Sequence, residues 1–125
     1  MQPIQTSEAP AAIGPYSQAI RAGNMVFLSG QVPLDPKTGE LVTGDIRLET
    51  ERVMDNLAAV LAASGLTFAN VARTTIYLTN LGDFQAVNET YGKRFDKAPP
   101  ARATVQVAAL PKGARVEIDA IAVIP

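Results

Sequence analysis

Apolar residues recur along this 125-residue chain with two different periods, and the places where the period changes divide it into strands and helices. Ser17 to Arg21 and Met25 to Ser29 are short β-prone runs. Ala22-Gly23-Asn24 joins them, with Gly and Asn able to supply the positive φ of a tight connection, so the spacing predicts a hairpin. Two prolines and a glycine between Pro33 and Glu40 then break any ladder. From Asp45, a residue type suited to an N-cap, Val53, Leu57, Val60, Leu61 and Ser64 fall at helical spacing, up to Gly65 at a C′ position. Arg47, Glu51, Arg52 and Asp55 occupy the opposite face. Val71 to Thr79, rich in β-branched and aromatic residues, reads as a central strand. Asp83 is placed to cap a second helix, along which Phe84, Val87, Tyr91 and Phe95 form a stripe before Pro99-Pro100 forbids continuation. Ala101 to Leu110 and Val116 to Pro125 are the final strands, with Leu110-Pro111-Lys112-Gly113 as the turn between them.

The order ββαβαββ predicts a single α+β domain over residues 1–125, its helices covering one face of a mixed sheet. A chain of this size buries roughly two thirds of its extended surface. Ala103, Val105, Val107, Val116, Ile118, Ala120, Ala122 and Ile124 offer more apolar strand surface than one solvated sheet carries. This surface is expected to pack against other copies of the chain.

Composition narrows the chemistry. A hydrophobic content of 47% against 18% charged residues fits a folded chain, with disorder expected only at Met1 and Gln2. Eleven basic residues nearly balance twelve acidic ones, and no Lys or Arg run supplies a footprint for nucleic acid or an anionic membrane. The N-terminus lacks a leader pattern and no apolar run is long enough to span a bilayer, so a cytoplasmic location is expected. Cysteine and histidine are both absent, which removes thiol nucleophiles, Ser-His and Cys-His pairs and the commonest zinc and haem ligands. Carboxylates, hydroxyls, amides, arginines and four lysines remain, enough for proton transfer, water addition or binding.

Within that inventory Arg102 and Glu117 stand out as charges set into the two most apolar strand-like stretches. Strand alternation puts Arg102, Thr104 and Gln106 on one face of the first stretch, and Arg115, Glu117 and Asp119 on one face of the second. A register pairing even with odd positions unites Arg102 and Glu117; an even-with-even register separates them. An ordinary ion pair or a solvated sheet face accounts for the same two charges. Asn88, three residues before Tyr91, reads as a buried amide that satisfies neighbouring backbone. Tyr16 follows the rigid Gly14-Pro15 turn and Ser29-Gly30 sits at a strand end, positions that suit core or turn packing for the tyrosine and strand capping for the serine.

Taken together, Gly14-Pro15-Tyr16-Ser17-Gln18, Ser29-Gly30-Gln31-Val32-Pro33, Val87-Asn88-Glu89-Thr90-Tyr91, Pro100-Ala101-Arg102 and Val116-Glu117-Ile118-Asp119-Ala120 resemble the reactive intermediate deaminase A family, also called the YjgF family. The match runs nearly end to end. The resemblance implies a chorismate-mutase-like fold with two helices on one face of a mixed six-stranded sheet. It also implies a homotrimer built around a barrel of sheets, with clefts at the subunit boundaries. The implied activity is hydrolysis of 2-imino acids and their enamines, such as 2-aminoacrylate and 2-iminobutanoate, to 2-keto acids and ammonia, without cofactor or metal. The family's carboxylate-binding arginine falls on Arg102 and its water-positioning acid on Glu117; Tyr16, Ser29, Gly30 and Asn88 fall on other cleft positions. Where the family often has cysteine, this chain has Thr104. A non-catalytic module that binds small carboxylates in the same cleft is the alternative. An RNA-cleaving role fits poorly with the near-neutral charge and missing histidine.

Overall fold

In the computed structural model, which describes residues 1–125, six strands form one mixed sheet. They are β1 (Gln2–Ile4), β2 (Ala19–Ala22), β3 (Met25–Gln31), β4 (Val71–Leu78), β5 (Ala101–Gln106) and β6 (Val116–Val123). Their spatial order is β1-β2-β3-β6-β4-β5, antiparallel throughout except for the β4–β5 pair. Helices α1 (Ile46–Ala63) and α2 (Phe84–Gly92) lie on one face, as the resemblance implies.

Strand β1 lies outside the ββαβαββ order, and it draws Gln2 into the sheet, correcting the expected disorder there: Gln2 pairs with Arg21 and Ile4 with Ala19. The final strands are not a hairpin. A helix joins β4 to β5, so the two run parallel as neighbours, and β6 then takes the opposite side of β4. The Pro111–Gly113 turn carries the chain past the end of β4, with Thr79 N–H donating to the Arg115 carbonyl and Val107 N–H to that of Leu78.

This topology redistributes the apolar strand residues. Val116, Ile118, Ala120 and Ala122 are at most 4% exposed and pack under the helices with Val26, Leu28, Ile76 and Leu78. They are core, not the outer surface expected of them. The uncovered face instead carries Phe27, Val105 and Val123, together with Thr75, Tyr77, Glu117 and Asp119.

Local chemistry sets the helix ends. Asp45 accepts the Arg47 N–H as N-cap of α1, and Gly65, at φ 74°, turns the chain away after it. Val53, Met54, Leu57, Val60 and Leu61 form the face that packs on the sheet. Before α2 a turn of 3-10 helix, Leu81–Asp83, moves the capping position upstream. Asn80, and not Asp83, therefore supplies the side-chain cap, accepting the Gly82 N–H at 2.8 Å. Helix α2 ends at Gly92, short of the prolines, and the chain tightens through an Arg94 N–H to Tyr91 carbonyl bond. Phe95 still packs against Tyr91 and Phe68, at ring separations of 4.8 and 5.4 Å.

Polar groups beneath α1 lock the layers together. The Asn56 amide, fully buried, donates to the carbonyls of Val32 and Leu34 and pins the loop after β3. Glu49, only 1% exposed, is held by Arg115: the Nε lies 3.1 and 3.3 Å from the two carboxylate oxygens, and Nη2 also contacts Oε2. Arg115→Ala leaves that carboxylate buried without its partner. An expected loss of about 1–3 kcal/mol follows, read as a lower denaturant midpoint at unchanged slope.

Candidate functional site

The structure brings the sequence-derived candidates into two groups on opposite sides of the sheet. Arg102 lies opposite Thr74 on β4, and Thr74 lies opposite Ala120 on β6, so all three share the helix face. Glu117 lies opposite Tyr77 and points to the other face. Within one protomer, therefore, Arg102 and Glu117 do not meet. Neither hairpin register applies, because β4 stands between them.

The first group is built on β5 and α2. Strand β5 is the sheet edge, and Arg102 rises from it toward α2, where Nη1 donates to Asn88 Oδ1 at 2.6 Å. The guanidinium carbon lies 5.2 Å from the centre of the Tyr91 ring and 5.6 Å from that of Phe84, within cation–π range of both. The Tyr91 hydroxyl in turn shares a 2.7 Å hydrogen bond with buried Thr74 Oγ1. Burial raises the Tyr91 pKa against the opposing influence of Thr74 and Arg102, so the ring stays a neutral platform. Asn88 is exposed and orients the arginine; it is not the buried backbone-satisfying amide expected from its helical position. A cavity of about 500 Å³ opens here, lined by Arg102, Asn88, Tyr91, Phe95 and Pro99-Pro100. None of the four ion pairs in the protein involves Arg102, so its charge has no carboxylate partner. Thr104 shares the strand face of Arg102, and its Oγ1 is buried without a hydrogen-bond partner.

The second group gathers where β3 bulges against β6. Pairing shifts between Leu28 and Gln31, which leaves Ser29 and Gly30 out of the regular ladder beside Glu117. A Cβ built on Gly30 would fall 2.9 Å from the Glu117 carboxyl carbon and closer still to Oε2. Only a glycine leaves room for that carboxylate. Ser29 Oγ donates to the Ser17 carbonyl at 2.6 Å and its N–H to that of Gln18, which holds the Tyr16–Gln18 segment beside the bulge. Gln18 is buried and anchors the segment further, accepting the Thr6 N–H and donating to the Pro10 carbonyl. Tyr16 itself is 54% exposed and lines a separate cavity of about 450 Å³ with Ser17, Gln18 and Thr6. It is not core packing.

Glu117 is half-buried, and burial first, then the charge of Asp119, raise its carboxyl above the ordinary value. A proton acceptor with that bias holds a proton more strongly than a solvated glutamate does. Three residues not named as site candidates from the sequence belong beside the two groups: Phe84 and Tyr91 flank the guanidinium, and Asp119 neighbours Glu117 on the strand face expected of it. For the first two, the helical stripe they share was the available signal; for Asp119, the strand alternation with Glu117.

Residues 6–124 match the model of the family described as endoribonuclease L-PSP. Protein DfrA of Myxococcus xanthus is 66% identical over 122 residues, which cover 96% of this chain and 93% of that protein. A 2-iminobutanoate/2-iminopropanoate deaminase of Mus musculus is 52% identical over 120 residues, covering 96% of this chain and 89% of the mouse protein. The crystal structure of RidA from an Antarctic Psychrobacter superposes with a TM-score of 0.95 at 46% identity, covering 99% of this chain and all of that one. Family, relatives and fold agree: the chain belongs to the endoribonuclease L-PSP family, to which reactive intermediate deaminase A also belongs.

Proposed function

We propose that this protein hydrolyses small 2-imino acids and their enamine tautomers, 2-aminoacrylate/2-iminopropanoate and 2-iminobutanoate, to 2-keto acids and ammonia. The reaction takes place in a cleft formed where the Arg102 side of one protomer meets the Glu117 face of the next in a homotrimer. The observation that carries the reading is Arg102, a guanidinium aimed by Asn88, stacked on Tyr91 and Phe84, and left without a carboxylate of its own. Such a group suits a substrate carboxylate, which it grips through paired hydrogen bonds. The placement of the candidate residues on opposite sheet faces supports a site shared between copies. So do the exposed Phe27, Val105 and Val123 on the uncovered face. A cytoplasmic setting, where pyridoxal-phosphate-dependent dehydratases release these imines, accords with the reading.

The protonated imine carbon is already a strong electrophile, so no metal or cofactor is needed, and the main task is to hold a water over it. Glu117 takes a proton from that water as the C–O bond forms and the C=N pair moves onto nitrogen. It returns the proton to the amine, then takes the hydroxyl proton as the C–N bond breaks and the carbonyl forms. Ammonia leaves and carries that last proton away as ammonium. Tyr16, Ser29, Gly30, Asn88 and Thr104 complete the cradle around the carboxylate and the departing nitrogen. RNA cleavage, the activity in the family's description, would lack the basic footprint that binds phosphates, because the chain carries a net charge of −1 and no histidine.

The test is an assay coupled to a threonine dehydratase, following the decay of 2-iminobutanoate with and without this protein. Faster decay proportional to protein concentration is expected. Saturable ligand binding with no acceleration would leave a binding module in its place.

A further inference from the structure

The mechanism above leaves a second acid unused. Asp119 follows Glu117 on the same face of β6, and the Tyr77 hydroxyl donates to its Oδ2 at 3.0 Å. Tyr77 stands directly opposite Glu117 on β4, and Thr75 directly opposite Asp119. The phenol therefore reaches diagonally across the strand pair, past one carboxylate to bind the other.

We propose that Tyr77 and Asp119 are a positioning pair for Glu117, fixing a second negative charge on its strand face and thereby setting how Glu117 takes the proton from the attacking water. The proposal rests on the reading in which Glu117 activates that water.

Two carboxylates on neighbouring same-face positions of one strand are an arrangement that structure alone does not favour, since like charges side by side repel. The phenol holds Asp119 in place and keeps it from swinging out to relieve that repulsion. Within the protomer, other elements packed against Glu117 bring little to offset it; across the proposed cleft the facing charge is the partner's Arg102, which is the same in the wild type and in variants of Tyr77 or Asp119. Strand β3 contributes Ser29 and Gly30, neither of which titrates, and β5 contributes Ala103 and Val105 to this face. Arg73 lies further along β4, opposite Ile121 and exposed. The direction of the titrations agrees: after burial, Asp119 is what raises Glu117, and its hydrogen bond helps to raise Tyr77.

The test uses the assembled full chain and two variants, Asp119→Asn and Tyr77→Phe. Each is read by the pH profile of kcat/KM for 2-iminobutanoate and by a carbon-13 NMR titration of the Glu117 carboxyl. In Asp119→Asn the acid limb is expected to move to lower pH. Below the wild-type midpoint this variant then keeps a several-fold larger fraction of its own plateau activity. Tyr77→Phe moves the limb the same way by less, because its aspartate is present but no longer held. The Glu117 resonance titrates at lower pH in both. A folded Asp119→Asn with its limb or its Glu117 titration unmoved overturns the pair, while wild-type hydrolysis keeps the functional reading intact. If the wild type hydrolyses nothing, that reading falls and the NMR titration alone decides the pair. Should Asp119→Asn fail to fold, Tyr77→Phe decides by the same two measurements.

Discussion

Arg102→Ala is expected to fold and assemble like the wild type while its kcat/KM for 2-iminobutanoate falls roughly a hundredfold or more. That is about 3 kcal/mol, the scale of removing one side of a desolvated charge-assisted pair. Arg102 is exposed on an edge strand, and what the fold loses is its contact with Tyr91 and Phe84 and one bond to Asn88. Cation–π contacts at exposed sites contribute about 0.5–1 kcal/mol each, so the stability change stays small beside the loss of activity. Arg102→Lys is the sharper probe. It keeps the charge and loses the planar fork, so it recovers little if the guanidinium fixes the angle of the substrate and most of the activity if only the charge matters. Steady-state kinetics with thermal melts of both variants check this. Wild-type turnover in a folded Arg102→Ala removes the arginine from the mechanism.

What could be read in the sequence was local. Asp45 and Gly65 bracket α1 because a cap and a left-handed turn act on their own neighbours, and the β2–β3 hairpin follows from its glycine turn in the same way. Pairing between distant segments is not local, and the hairpin expected of the last two strands does not form. Nothing in Ala101 to Pro125 reports that β4 will slide between the last two strands, yet that insertion decides which face each charge occupies. Arg102 and Glu117 were visible as charges in apolar strands; their separation onto opposite faces was not. The proposal of a site shared between copies thus rests on topology, whereas the sequence suggested association through apolar residues, of which Val116, Ile118, Ala120 and Ala122 are core. Asn88 shows the limit of periodicity. Its spacing from Tyr91 put it on the apolar side of the helix, but α2 lies beside an edge strand, and that edge leaves Asn88 open and within reach of Arg102.

Gly30→Ala is expected to cost about a hundredfold in kcat with the fold retained, the scale of displacing a catalytic group by about 1 Å. The backbone of Gly30 lies outside the left-handed region, so alanine is conformationally acceptable there. The nearest neighbours of the new methyl are all atoms of the flexible Glu117 side chain, which makes the carboxylate the part that yields. Glu117→Gln removes the proton acceptor directly and is expected to lower kcat by about 10²–10⁴ while ligand binding survives. If the glycine acts only by making room for that carboxylate, the effects do not add: Gly30→Ala in the Glu117→Gln background costs little more. Stability separates the variants further. A carboxyl whose folded-state pKa is raised stabilises the fold at pH values below its unfolded pKa, and that contribution is lost as pH rises through the folded pKa. Near neutral pH the wild type therefore carries an ionised, half-buried glutamate at a cost that Glu117→Gln does not bear. The variant is expected to melt at or above the wild-type temperature there and to lose that advantage on acidification. A glutamine variant less stable than the wild type at neutral pH would make Glu117 part of the scaffold, and fully additive losses would give Gly30 a role of its own.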